Sequence, residues 1–112
     1  MRILTEKITK KQLLADSAVI FDGPMIKAVV DIDKSIIGVD ANMHADIEQF
    51  LLSQGSEQKY LWGINLYPED EEDFVEFDSM INVRPRQGNS SRDVEDESTR
   101  SQILSTVTQW IS

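Results

Sequence analysis

The sequence predicts an α+β domain in the order β-α-β-β-α-β-β-α, with an antiparallel or mixed sheet and helices packed mainly on one face. Two stretches alternate apolar and polar residues at the strand period of two. In two other stretches apolar residues recur at the helical spacings of three and four. Since the 112 residues contain no internal repeat or linker, residues 1–112 are predicted to form a single domain.

Composition narrows the function classes. The chain has no Cys and one His, which excludes disulfides, thiolate metal sites and an all-histidine zinc site within one chain. A formal net charge of -9 disfavours binding to nucleic acid and to membrane surfaces. No apolar run is long enough to span a bilayer, and no signal pattern opens the chain. We therefore expect a cytoplasmic protein without a cofactor. Assembly into a homo-oligomer is compatible with this composition.

The N-terminal part is predicted to contain a strand, a helix and a hairpin. Residues 2–5 form a short apolar strand, and Thr9 with Gln12 has capping-box spacing for a helix over residues 10–18. Turn residues follow at 21–24. Residues 25–32 and 36–39 are rich in Val and Ile and are predicted to pair as a hairpin. The predicted register pairs Val30 with Val39 and Ile32 with Ile37.

The second helix is predicted from an apolar stripe. Residues 40–42 offer N-cap side chains, and an opposite, solvent-facing side is expected to carry polar residues. The apolar stripe consists of Met43, Ile47, Phe50 and Leu51, and the polar side of His44, Asp46, Glu48 and Gln49.

A central hairpin is predicted from residues 60–67 and 74–84. Pro68 ends the first run, and residues 69–73 are five consecutive carboxylates, typical of a solvated loop. Keeping one face apolar fixes the register, because a slip by one residue would turn every side chain over. The predicted pairs are Leu66 with Val75, Ile64 with Phe77, Trp62 with Ser79 and Tyr60 with Ile81. The other face is a polar strip of Asn65, Tyr67, Glu76, Asp78, Asn82 and Arg84.

The last helix follows a loop over residues 87–91. Asp93 or Asp96 suits its N-terminus. Its apolar stripe is Ile103, Leu104, Val107, Trp110 and Ile111. Trp62, Tyr60 and Trp110 are interpreted as core residues, whereas Tyr67 is placed to stack on a ligand.

The leading functional hypothesis is a binding module for an anionic small molecule or an anionic group on a partner. Three of the five arginines, Arg84, Arg86 and Arg92, fall within nine residues that contain no acid. Guanidinium groups pair with carboxylate or phosphate, and Gly88 allows the loop to form a concavity of N–H groups. We expect the three arginines to converge. The alternative is that they pair with acids such as Glu76 and Asp78. The predicted ligand-binding residues are Asn65, Tyr67, Glu76, Asp78, Asn82, Arg84, Arg86, Asn89, Ser91 and Arg92.

Three other hypotheses remain open. Glu76 or Asp78 could act as the base of a small hydrolase or lyase, since paired carboxylates can divide acid and base roles. The acidic loop, residues 69–73, could bind a basic surface on a partner protein. His44 and Glu48, four apart on one helix face, could bind a metal with Asp46 or a strand carboxylate, or His44 could make a single structural hydrogen bond.

Long motif strings support a family resemblance. They are His-Ala-Asp-x-Glu at 44–48, Leu-Trp-Gly-Ile-Asn-Leu-Tyr-Pro at 61–68, and Glu-Phe-Asp-Ser-Met-Ile-Asn-Val-Arg-Pro-Arg-Gln-Gly-Asn-Ser-Ser-Arg at 76–92. Over nearly its whole length the chain resembles a family of small uncharacterised bacterial proteins. The resemblance implies a bacterial, cytoplasmic source and carries no assigned activity.

Overall fold

An antiparallel sheet lies at the centre of the computed structural model, which describes residues 1–17, 20 and 24–112. Its five strands lie in the spatial order β1-β3-β2-β4-β5. Every pairing is antiparallel, so the predicted α+β class is confirmed and the sheet is of the antiparallel kind. The strands are β1 (Arg2–Ile3), β2 (Ile26–Asp31), β3 (Ile36–Val39), β4 (Leu61–Leu66) and β5 (Val75–Glu76).

Three α-helices connect or follow these strands: α1 (Lys10–Asp16), α2 (His44–Ser53) and α3 (Glu97–Trp110). The Thr9 hydroxyl caps α1 by accepting a hydrogen bond from the Gln12 N–H at 3.0 Å, as the capping box predicts. Asp96 caps α3 in the same way through the Thr99 N–H at 2.9 Å. The predicted extension of the first helix to residue 18, and most of the predicted turn at 21–24, lie outside the described residues.

The sheet buries apolar side chains on both faces. On one face Ala28, Val30 and Ile64 pack with Leu13 of α1 and Ile103 of α3, among others. On the other face Val29 and Leu61 pack with Ile47 and Leu51 of α2. Successive side chains of β2 and β4 therefore pack alternately into the two cores, and both strands are almost entirely buried. Two of the three helices share one face, and α2 covers the opposite one.

The prediction of a long second strand over residues 74–84 is wrong beyond Glu76. β5 pairs Leu66 with Val75 and Asn65 with Glu76, in the predicted register. After Glu76 the chain turns over the sheet, and Met80–Asn82 and Pro85–Gln87 form 3₁₀ turns. Gly63 makes this possible, because a Cβ at that position would lie 2.5 Å from the Ser79 side chain. Alternation alone could not reveal a chain that crosses the strand at a glycine.

The register predicted for β2 and β3 is wrong by two residues. Val30 pairs with Ile37 rather than with Val39, and the connection is a four-residue turn over 32–35. A shift of two leaves every side chain on its original face, because side chains alternate with period two. The apolar pattern therefore cannot distinguish the two registers.

The predicted faces of α2 are right for Ile47 and Leu51, which are buried, and for Asp46 and Gln49, which are exposed, but wrong for His44, Glu48 and Met43. His44 and Glu48 are each only 7% exposed and face the sheet, whereas Met43 is 57% exposed. The helix begins after Met43, and no side chain from residues 40–42 caps it. His44 contacts the Ile64 carbonyl oxygen, and Glu48 lies 3.9 Å from Arg84, so both polar residues face polar groups beneath the helix, although Glu48 Oε2 accepts no hydrogen bond from the described residues. These polar groups lie far from α2 in sequence. A prediction from the helical spacing alone therefore placed both residues on the solvent-facing side.

Candidate functional site

Arg84 is a buried residue that ties three segments together. Its guanidinium donates hydrogen bonds to the carbonyl oxygens of Ile81 at 2.9 Å, Gln58 at 2.9 Å and Leu61. It lies 4.5 Å from the centre of the Trp62 ring and 3.9 Å from Glu48 Oε2. Burial lowers the pKa of Arg84, and the nearby Glu48 carboxylate opposes that shift. These contacts leave Arg84 holding the fold rather than presenting a charge to solvent.

Two buried asparagines build the loop that follows β5. Asn82 Oδ1 accepts from the Gly63 N–H at 2.8 Å, and Asn82 Nδ2 donates to the Gly63 carbonyl at 2.9 Å. Asn89 Nδ2 donates to three carbonyls, including that of Asn82 at 2.7 Å, while its Oδ1 accepts from the Glu95 N–H at 2.9 Å. Both amides therefore satisfy backbone groups in place of a regular strand.

The N–H groups of the loop do form a nest, and an acidic side chain of the protein occupies it. The backbone N–H groups of Ser90 and Ser91 lie 3.0 and 2.9 Å from Glu95 Oε2. The Ser91 hydroxyl donates to the same oxygen at 2.6 Å, and the Ser90 hydroxyl lies 3.5 Å from it. Hydrogen bonds from Ser91 and Ser90 lower the pKa of Glu95. Sequence reasoning missed Glu95, although the i, i+4 spacing from Ser91 was available.

The other two arginines of the predicted anion site have different surroundings. Arg92 Nε donates to Asp78 Oδ1 at 2.6 Å, so this arginine forms the ion pair foreseen as the alternative. Arg86 is exposed at the tip of the loop, and its side chain has no ion-pair or hydrogen-bond partner among the described residues. The three arginines thus do not share a partner: Arg84 contacts carbonyls and Glu48, Arg92 contacts Asp78, and Arg86 faces solvent.

Glu76 is held by two donors on the sheet edge. Asn65 Nδ2 and the Tyr67 hydroxyl both donate to Glu76 Oε1, at 2.8 and 3.0 Å. Asn65 Nδ2 also lies 3.3 Å from the Asp78 carbonyl oxygen. Desolvation, followed by the contact with Glu76, raises the pKa of Tyr67, so its phenol remains a donor. Four residues of the predicted set, Asn65, Tyr67, Glu76 and Asp78, therefore lie together, as the strip predicted.

Two adjoining concavities of about 460 and 390 Å³ open beside Tyr67. None of the four ion pairs described within residues 1–17, 20 and 24–112 involves an acid of these concavities. Asp70 Oδ1 accepts the N–H groups of Glu72 and Asp73, so one oxygen fixes the loop. The carboxylates that line the concavities are Glu69, Asp70, Glu71, Glu72, Asp73 and Glu76.

His44 contacts the central strand from the first turn of α2. Its Nε2 lies 2.8 Å from the Ile64 carbonyl oxygen, and since a carbonyl only accepts, Nε2 carries the hydrogen. Burial lowers the pKa of His44, which the hydrogen bond to Ile64 opposes. This geometry matches the single structural hydrogen bond that the sequence analysis offered as one alternative, but in the interior rather than at the surface.

The described part of the chain holds no group of three or more His, Cys, Asp or Glu residues that could bind a metal ion. Glu48 lies one turn beyond His44 and is directed to Arg84. Burial raises the pKa of Glu48, and the charge of Arg84 opposes this. Among the helices of residues 1–17, 20 and 24–112, none has the length and apolar character needed to cross a membrane.

Burial of His44 predicts a loss of stability in mild acid. The folded-state pKa lies below the unfolded value of 6.5, so the unfolded chain binds the proton more tightly. The contribution of His44 to stability is complete above about pH 6.5 and is lost as pH falls through the lower folded-state pKa. His44→Gln keeps a donor for Ile64 but does not titrate. Urea melts from about pH 7 to about pH 5 should show a larger loss for the wild type than for this variant. Equal losses would contradict a dominant effect of burial.

Comparison with known proteins identifies one family. A family model described as "Protein of unknown function (DUF5674)" matches residues 2–110. The comparisons with curated proteins and with solved structures return no match.

Proposed function

The chain belongs to the DUF5674 family of proteins of unknown function, and we propose that it binds a cationic group of a partner protein in the acidic concavities beside Tyr67. The observation that carries this proposal is the set of six carboxylates around Tyr67, none of which forms an ion pair among the described residues, although Lys10 and Lys11 line a further concavity with Glu69 and Glu71. Like charges held close together repel, and a bound cation relieves that repulsion.

The chemistry of the concavities suits an ammonium or guanidinium group. Glu76 presents Oε1 to Asn65 and Tyr67, and Oε2 receives no hydrogen bond from the described residues. The Tyr67 ring adds an aromatic face, to which cations are attracted. Tyr67 is half-buried at the junction of the two concavities, so a lysine or arginine side chain could contact it and Glu76 together.

Calorimetry with a short lysine- and arginine-rich peptide tests this proposal. We expect a dissociation constant between about millimolar and micromolar, because two or three charged hydrogen bonds are offset by ordering costs. Affinity should fall steeply with added salt. Glu76→Gln should weaken binding about tenfold, whereas Glu97→Gln, which removes the same charge from the exposed first turn of α3, should not.

Two outcomes would argue against a protein partner. Equal weakening by Glu76→Gln and Glu97→Gln would mean that only the net charge attracts the peptide. Free spermidine that binds as tightly as the peptide would indicate a small polyamine as the ligand instead.

A second candidate is anion binding at the Ser90–Ser91 nest, and the convergence of four donors on Glu95 Oε2 favours it. In this view the Glu95 carboxylate stands in for a ligand's oxygen, and an external carboxylate or phosphate must displace it. Gly88, with φ of +82°, supplies the left-handed residue just before the nest. Arg86 and Arg92 flank the nest in sequence.

Glu95→Ala should create anion affinity that the wild type lacks. Removing the competing carboxylate leaves the two N–H groups and two hydroxyls open to solvent, and two or three hydrogen bonds to an anion fit a dissociation constant of about a millimolar. NMR titration with inorganic phosphate or acetate should shift the Ser90 and Ser91 amides in Glu95→Ala but not in Glu97→Ala. Unchanged amides in both variants would mean that Glu95 only braces the loop.

A further inference from the structure

A third concavity, of about 580 Å³, is lined by side chains of both charges. Lys10 and Lys11 contribute to it from the first turn of α1, and Glu69 and Glu71 contribute from the acidic loop. The two concavities beside Tyr67, in contrast, are lined by acids and contain no lysine or arginine. The chain therefore places positive charge next to its most acidic surface.

The three concavities lie in a row. The one with the lysines shares Glu69 and Glu71 with the concavity of about 460 Å³, which in turn shares Tyr67 and Asp70 with the concavity of about 390 Å³. The two outer concavities have no lining residue in common, so the lysines lie at one end of the row and Glu76 at the other. A segment of a partner chain laid along the row contacts both positive and negative charge.

The two lysines do not pair with the glutamates of their own concavity. Among the residues that the structure describes, neither lysine takes part in an ion pair. Lys10 Nζ lies instead 4.5 Å from the centre of the Phe74 ring, which holds one side of the ammonium group and leaves N–H donors for a ligand. Lys11 is exposed. Opposite charges that share a concavity without contact leave room for a ligand that carries both signs.

We propose that the partner segment bound in this row carries an acidic side chain close to its basic one, and that Lys10 and Lys11 hold the acid. The inference rests on the proposed function, because the basic side chain of the segment lies in the concavities beside Tyr67. In an extended chain, residues two apart point the same way and lie about 7 Å apart, so this spacing places the two charges in neighbouring concavities. Such complementarity gives specificity, since a purely basic segment is repelled by the lysines.

Calorimetry with three short peptides tests this inference. The reference peptide carries two arginines among alanine and glutamine residues. In each of the other two, one glutamine is replaced by glutamate, two residues before the arginines or two residues after them. Long-range attraction to a protein of net charge -9 predicts weaker binding for both glutamate peptides. We expect instead that at least one of them binds about threefold more tightly than the reference, the effect of one exposed ion pair.

The double variant Lys10→Gln, Lys11→Gln should reverse this preference, so that the reference peptide binds more tightly than either glutamate peptide. The matched control is Lys7→Gln with Lys59→Gln, which removes the same charge from exposed lysines outside the row. Lys59, like Lys10, lies beside an aromatic ring, that of Tyr60. The control should keep the preference of the wild type, because the bound acid contacts neither of its two positions.

The outcomes distinguish this inference from the proposed function. If the wild type binds the reference peptide as tightly as the glutamate peptides, or more tightly, the inference is overturned and a cation site beside Tyr67 remains. If it binds none of the three peptides, both are overturned. A preference for glutamate that survives the loss of Lys10 and Lys11, or that the control also loses, would overturn the role of these lysines. Phosphoethanolamine that binds as tightly as the best peptide would indicate a small zwitterion in place of a protein segment.

Discussion

Replacing Arg84 by methionine is expected to lower the free energy of unfolding by about 3–5 kcal/mol. The change removes hydrogen bonds to three backbone carbonyls and leaves the Glu48 carboxylate buried without its cation. Methionine replaces the stem of Arg84 but lacks the guanidinium group that lies over the Trp62 ring, so this contact is lost as well and adds to the effect. Urea melts at neutral pH measure the loss, and Arg86→Met provides the matched control two residues away.

The control should lose less than about 0.5 kcal/mol, because Arg86 is exposed and its side chain pairs with no other described residue. Adding Glu48→Leu to Arg84→Met should restore part of the stability, since the unpaired buried charge is then gone. If the double variant were less stable than Arg84→Met, the main cost would lie in the three carbonyls rather than in Glu48. Equal losses for Arg84→Met and Arg86→Met would contradict a structural role for Arg84.

The strands and helices follow from local patterns, and most of them could be predicted. Apolar alternation located β2 and β4, and the capping box at Thr9 located the start of α1. The length of β5 could not be predicted in this way. Ser79 and Ile81 continue the alternation, yet they pack on Gly63 after the chain has left the sheet. The end of β5 depends on the missing Cβ of Gly63, which lies on β4, sixteen or more residues away in sequence.

The candidate sites were harder to predict for an electrostatic reason. An arginine-rich sequence segment indicates anion binding only if the charges remain unpaired, and pairing depends on distant residues. Glu48, the partner of Arg84, lies on α2, and Gln58 and Leu61, which supply two of its carbonyl acceptors, lie before and on β4. The exposure of the acidic loop was easier to predict, because its five adjacent carboxylates outnumber the basic residues near them in sequence. A segment with charges of one sign therefore stays unpaired after folding more often than a segment with charges of both signs.

Asn82→Ala is expected to lower the free energy of unfolding by about 3 kcal/mol or more. Asn82 is fully buried, and its amide occupies the place of a neighbouring strand along the edge of β4. Alanine leaves two backbone groups without this partner, the N–H and the carbonyl of Gly63, whereas the Arg92 carbonyl keeps its hydrogen bond from the Ser79 N–H at 3.1 Å. Each buried unsatisfied group costs about 1–3 kcal/mol, less whatever water can recover. Denaturant melts measure the loss of stability, and the hydrogen-exchange rate of the Gly63 amide measures the exposure of its N–H group.

Asn82→Asp separates hydrogen bonding from shape. The aspartate keeps an acceptor for the Gly63 N–H but brings a second oxygen against the carbonyls of Gly63 and Arg92. It should therefore be at least as destabilising as Asn82→Ala while protecting the Gly63 amide from exchange better. Asn89→Ala offers a comparison within the same loop, because the Asn89 amide bonds to carbonyls of the loop and not to the edge of β4.

If Asn82→Ala left the Gly63 amide protected, another group must cover β4, and the account of Asn82 as a substitute strand would be wrong. If the amide became exposed, β4 would present an open edge, and self-association that grows with protein concentration should follow.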